Sequence, residues 1–421
     1  MSFTIGSEKL IKKFIDEFEK YCGKKSKRTQ QRTDSILKMI YQDILISESY
    51  ISILESRKLI DNTVKEIKTL KELPKTNLMD SSFMPGTIKD KILYSILGYM
   101  KMTIKIGQIT VNIYYGLFKK SDFNKLKTIK EDIISALKII KFCTLYKDLK
   151  TMKTLDIYLY LTDIKKKLPK NPVLVLNEHN CNSAVTFACA SNGKVLIYRK
   201  EEWKKVLIHE LFHSLCLDFA GSNYDVLRDN IKTIFNVKSD FEISESYAEY
   251  WATIINSCFI SYSLLDNYDD IENFLLFTDF CIQLERMFSL YQMIKVLGFM
   301  GLNYENLYKN DALSKSFRKI LYKEDTNVLC YYVIKTILLF YNDDFLEWCM
   351  IHNNNILKFN KTANNFKMFY EFLRKKYNGK FFIESINKME IFYRKYKGPI
   401  FNKKLCSSDM TTTSRMTICE N

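Results

Sequence analysis

Apolar residues recur at helical spacing along most of this chain. Leu10, Ile11, Phe14 and Phe18 share one face of the first segment, and Ile36, Ile40, Ile44 and Ile46 part of another. A break carrying Pro74 and then Pro85-Gly86 precedes two further stretches, at about 88–118 and 122–149, that read as helix. At residue 155 the period changes. Leu155, Ile157, Leu159 and Leu161 alternate with Asp156, Tyr158, Tyr160 and Thr162, which predicts a strand with one buried face. Val173–Leu176 reads as a second strand. Val185–Ala190 and Lys194–Arg199 flank Ser191-Asn192-Gly193, where Gly193 would supply the positive φ of a tight hairpin. Helical spacing resumes near Glu201 and holds to about residue 395. The expected class is α+β, mostly α. A helical domain over 1–150 would precede a core of small sheet and two helices over 151–265, a second helical domain over 266–400, and a polar tail over 401–421 expected to be disordered.

Composition sharpens this picture in three places. Only 12 Gly and 5 Pro in 421 residues, with 47% hydrophobic content, favour long helices with few tight turns. The net charge of +16 admits nucleic acid, an acidic substrate or an anionic membrane surface as partner without marking any of them, because the excess is spread along the chain. The one dense run, Lys24-Lys25-Ser26-Lys27-Arg28, reads as a basic loop. Eleven cysteines, an odd number with no C-x-x-C pair, point to free thiols in a reducing compartment, with Cys216 as small core filler. The first residues show no secretory signal. The longest apolar run, Val328–Tyr341, is too short to span a membrane and is broken by Lys335, so the expected location is the cytoplasm.

Candidate chemistry concentrates in Val206–Phe219, VLIHELFHSLCLDF. His209 and His213, four apart on a helix, can present imidazoles to one metal ion, and Glu210 lies about 100° round, within reach of a water on that metal. Leu207, Ile208, Leu211 and Leu215 anchor the opposite face. Downstream, the apolar segment Phe241–Ile255 carries Glu242, Glu245 and Glu249 on one face, where like charges repel unless a cation faces them. Glu242 sits at the expected helix start and suits the dipole there, which leaves Glu245 and Glu249 facing inward.

Strands, an edge hairpin and then an H-E-x-x-H helix resemble the N-terminal subdomain of zincin metallopeptidases. That resemblance implies one Zn2+ held by His209, His213 and a third ligand, a zinc-bound water activated by Glu210, and a protein or peptide substrate. It also implies that Asn182 and Ala184, at the outer strand of the hairpin, meet the substrate by strand addition. The run E-S-Y-A-E is similar to the third-ligand helix of gluzincins. On that likeness Glu245 is the ligand and Glu249 supports a ligand histidine, with Asp218 and Glu242 next in line as ligands. Ser244 stands where several gluzincin families have Asn. Gluzincins take an oxyanion donor from beyond the ligand helix, which implies Tyr331, with Tyr332 and His352 as alternatives. The likeness covers about residues 155–260 and is specific at five of them. The chain also resembles H-E-x-x-H proteins of large DNA viruses. The opposing expectation is a non-catalytic zincin-like scaffold whose basic surface binds protein or nucleic acid.

Overall fold

Period-two alternation shapes more of this chain than its many helical stretches imply. The computed structural model describes residues 4–21, 26–147, 152–397 and 408–419. The fold is α+β and mostly helical, with one six-stranded sheet. Its strands are β1 (Asp61–Glu66), β2 (Gly98–Ile106), β3 (Ile109–Leu117), β4 (Thr154–Thr162), β5 (Ala184–Thr186) and β6 (Asn192–Arg199). Their order across the sheet is β1-β2-β3-β4-β6-β5, with β3, β4 and β6 parallel and the remaining pairs antiparallel.

The helix expected over 88–118 is therefore a helix followed by a hairpin. Helix α1 (Gly86–Ser95) ends, and Met100, Met102, Ile104 and Ile106 then bury every second side chain of β2. Ile106 pairs with Ile109 across a two-residue turn in which Gly107 takes φ of 59°. Only glycine adopts that conformation without cost, and it closes the tightest hairpin. Val173–Leu176 is not a strand; Leu176 makes a single bridge to Glu324. Gly193 also has a different use from the one expected. It is not among the positive-φ glycines, and a Cβ on it would sit 2.8 Å from Ser214 Oγ. Its bare backbone lets β6 approach the end of the H-E-x-x-H helix.

The chain divides into two compact units, one of Met39–Lys165 with Asn182–Gly221 and the other of Met1–Lys38, Lys166–Cys181 and Ser222–Asn421. The boundary expected at residue 150 fails because one sheet draws strands from both sides of it. In the sheet unit, helix α2 (Leu126–Thr144) makes the crossover from β3 to the parallel β4, burying Ile129, Ile133, Leu137 and Ile140. It packs on α3 (Trp203–Ser214). The opposite face is covered as well. Tyr160 and Tyr198 are buried there beneath a cluster that includes Leu78, Ile88 and Ile92, and their hydroxyls donate to Pro74 O and Phe83 O. A sheet covered on both faces explains why β4 buries more than one alternating set.

In the helical unit the two longest elements after residue 222 are α4 (Ser244–Ser263) and α5 (Ile271–Phe299). The tail expected to be disordered is built into this unit over its described part, residues 408–419. Glu285 of α5, fully buried, accepts N–H bonds from Ile418 and Cys419 at 3.1 and 2.9 Å. Lys295 Nζ donates to Met410 O and Thr413 O, and Lys335 Nζ to Met416 O. The segment is polar yet ordered because its own main-chain groups are met by buried charges of the helices. Leaving such a charge without partners costs about 3–5 kcal/mol. Among the described residues no helix is long and apolar enough to cross a membrane. Lys24 and Lys25 of the basic run lie outside the described residues; Lys27 begins a helix that runs to Ser56.

Candidate metal centre

Helix α3 places His209, Glu210 and His213 together, each 7% exposed. Leu207, Ile208 and Leu211 are fully buried and fix the helix by its apolar face, as its pattern requires. The two imidazoles meet through their Nε2 atoms at 3.1 Å. Two facing ring nitrogens at that distance need a shared proton or a shared cation between them. The outer nitrogen of His213 is taken: its Nδ1 lies 2.5 Å from Asp218 Oδ2, and Asp218 is fully buried. A proton on Nδ1, on the side of that carboxylate, would leave the Nε2 lone pair for a metal.

Asp218, named in the sequence as an alternative ligand, lies against His213, the kind of contact expected of Glu249. It reaches His213 because the helix stops at Ser214 and the chain turns back at once. Cys216 takes φ of 58°, and the N–H groups of Cys216 and Cys189 both donate to His213 O at 3.1 Å. Cys189 and Cys216 are joined as a disulfide, Cα to Cα 4.9 Å. Cys216 is thus neither core filler nor a free thiol, while Cys143, Cys181, Cys258, Cys281, Cys330, Cys349 and Cys419 are buried and outside any disulfide. The pairing was invisible to spacing, since 27 residues separate the partners and the approach of β6 to α3 brings them together.

The acidic residues are held by a different kind of partner. Helix α4 starts at Ser244, which puts Glu245 in its first turn, where the helix dipole favours a carboxylate. Tyr331 donates its hydroxyl to Glu245 Oε2 at 3.1 Å, from a π-helical turn over Leu329–Ile334. Glu242 lies before the helix. Its carboxylate takes the Tyr224 hydroxyl, and burial, then the charge of Glu245, pushes its pKa up. Glu249 is 1% exposed. His209 and His213 belong to the sheet unit and Glu245 to the helical unit.

That donor set fits zinc: two imidazoles and one carboxylate are ordinary zinc ligands. Two nitrogens on a tetrahedral zinc, with bonds of about 2.0–2.1 Å, sit about 3.3 Å apart. The observed 3.1 Å is close to that.

Ala184 is in β5, paired with Ile197, and β5 is the outermost strand of the sheet. Asn182 precedes it, its carbonyl accepting from Arg199 Nε at 2.9 Å. Tyr332 gives its hydroxyl to Ser414 O at 2.5 Å and is bound to the C-terminal segment. His352 packs on Trp348, and burial lowers its pKa. No protein-family model, curated protein or solved structure matches the chain.

Proposed function

We propose that the protein is a zinc-dependent peptidase. The observation that carries this reading is the His209–His213 pair, 3.1 Å apart through Nε2, with Asp218 on the outer nitrogen of His213 and Glu210 next in sequence. His209, His213 and Glu245 would hold the ion, and zinc there would supply a Lewis acid that makes water acidic enough to attack near neutral pH. Glu210 accepts the proton of the attacking water and delivers it to the leaving amine as the peptide bond breaks. Asp218 keeps the proton of His213 at Nδ1. Tyr331 orients Glu245 through its hydroxyl, and this is a role the oxyanion expectation did not include. The outer edge of β5 would offer main-chain groups to an extended substrate, a mode of pairing indifferent to most side chains. A wholly non-catalytic scaffold has no need of a buried carboxylate beside the two imidazoles.

The test is Glu210→Gln. Because Glu210 acts on water and not on the metal, the variant keeps its zinc and its melting temperature while peptide cleavage falls by roughly 100-fold or more. Cleavage at the wild-type rate by a zinc-loaded variant contradicts the assignment.

A further inference from the structure

A cavity of about 440 Å3 opens within the sheet unit, in the size range of small-molecule sites. It sits outside the carboxyl ends of the three parallel strands. Phe118 follows β3, Asp163 follows β4 and Lys200 follows β6, and all three line it. In sheets with parallel strands and helical crossovers, this crevice is where ligands bind. Lys125 and Thr128, at the start of the crossover helix α2, complete that side.

Four lysines and three aspartates line the cavity, and the aspartates are already engaged. Asp122 accepts the N–H groups of Phe118 and Lys119, both at 2.9 Å. Asp163 is paired with Lys91. Asp132 accepts the Tyr115 hydroxyl at 3.3 Å, and burial raises its pKa against the opposing pull of Lys204 and Lys200. Lys119, Lys125 and Lys200 remain on the exposed rim, with no ion pair among the described residues. Together these features give three cations at a mouth over a recessed phenol–carboxyl pair that can bond hydroxyl groups.

We propose that this cavity binds a phosphate ester of a hydroxylated ring, with Lys119, Lys125 and Lys200 around the phosphate and the Tyr115–Asp132 pair on the ring hydroxyls. A free sugar phosphate and the ribose phosphate of a nucleotide share that chemistry. The volume holds more than a phosphate alone, and the rim charge suits a dianion.

Calorimetric titration of the full chain with ribose 5-phosphate, ADP, ribose and inorganic phosphate tests this. Either ribose 5-phosphate or ADP binds saturably with Kd below about 1 mM, and the tighter of the two identifies the source. Ribose shows no saturation, and inorganic phosphate binds at least ~10-fold more weakly than the ester, since it reaches only the rim. Lys119→Ala/Lys200→Ala weakens the ester by ~10-fold or more, as charged hydrogen bonds are lost. Tyr115→Phe weakens the ester and leaves inorganic phosphate unchanged. The proposal is overturned if neither ester saturates by about 10 mM. It is also overturned if the lysine variant binds as the wild type does, or if inorganic phosphate matches the ester.

Discussion

The two helices that carry the candidate ligands are fixed in opposite ways. On α3, the contacts at His213 and the helix end come from nearby in sequence or from the sheet beneath: Asp218 at His213 Nδ1, the turn at Cys216, and the bare backbone of Gly193 against Ser214. On α4, the Glu245 carboxylate is oriented from far along the chain. Tyr331 holds it across 86 residues, and just before the helix Asn327 accepts the Glu242 main-chain N–H across 85, while the Glu242 carboxylate takes the Tyr224 hydroxyl from 18 residues away. A site half of this kind depends on the helical unit having folded around it, whereas the histidine half is specified within one turn of helix and the bend after it. The difference separates what a local motif can specify from what only tertiary structure can.

Substitutions in the two halves test that separation. The largest effect is expected at Glu245. Glu245→Gln removes a charged donor from the ion and should weaken zinc, measured by chelator competition, beyond the ~10–100-fold that an outer partner is worth. Glu249→Gln should fall short of that. The opposite ranking would make Glu249 the ligand and shift the register of α4 by one turn. Next in size is Asp218→Asn, which keeps the shape but no longer holds the His213 proton as a carboxylate does. It should cost ~10–100-fold in zinc affinity or in turnover, with little change in melting temperature. An Asp218→Asn variant with wild-type affinity and rate would mean that the local half is not organised around that contact.

How much of this was legible in the sequence follows from the same distinction. His209, Glu210 and His213 were readable because helical spacing alone puts them on neighbouring positions. The edge hairpin and β4 were readable from alternation, and the two are joined in the sheet as expected. Strands β2 and β3 were missed because apolar residues at 88, 92 and 96 set a helical period that seemed to continue past Gly98, while Gly107 went unread as a turn. Asp218 was visible as a residue but not as the partner of His213, since that depends on the chain doubling back at Cys216. The C-terminal segment was illegible for a further reason. Its own residues are polar, and the charges that receive it, Glu285, Lys295 and Lys335, lie more than 80 positions away in elements that looked like ordinary buried helix.

The central claim is that two imidazoles 3.1 Å apart on α3 are metal ligands and not a hydrogen-bonded pair in a core. Elemental analysis of the purified chain, after equilibration with zinc and removal of excess, addresses it directly. The wild type should retain about one zinc per molecule, and His209→Ala/His213→Ala, confirmed folded by circular dichroism, should retain none. A wild-type chain without zinc, or a double variant that holds as much as the wild type, would contradict the account.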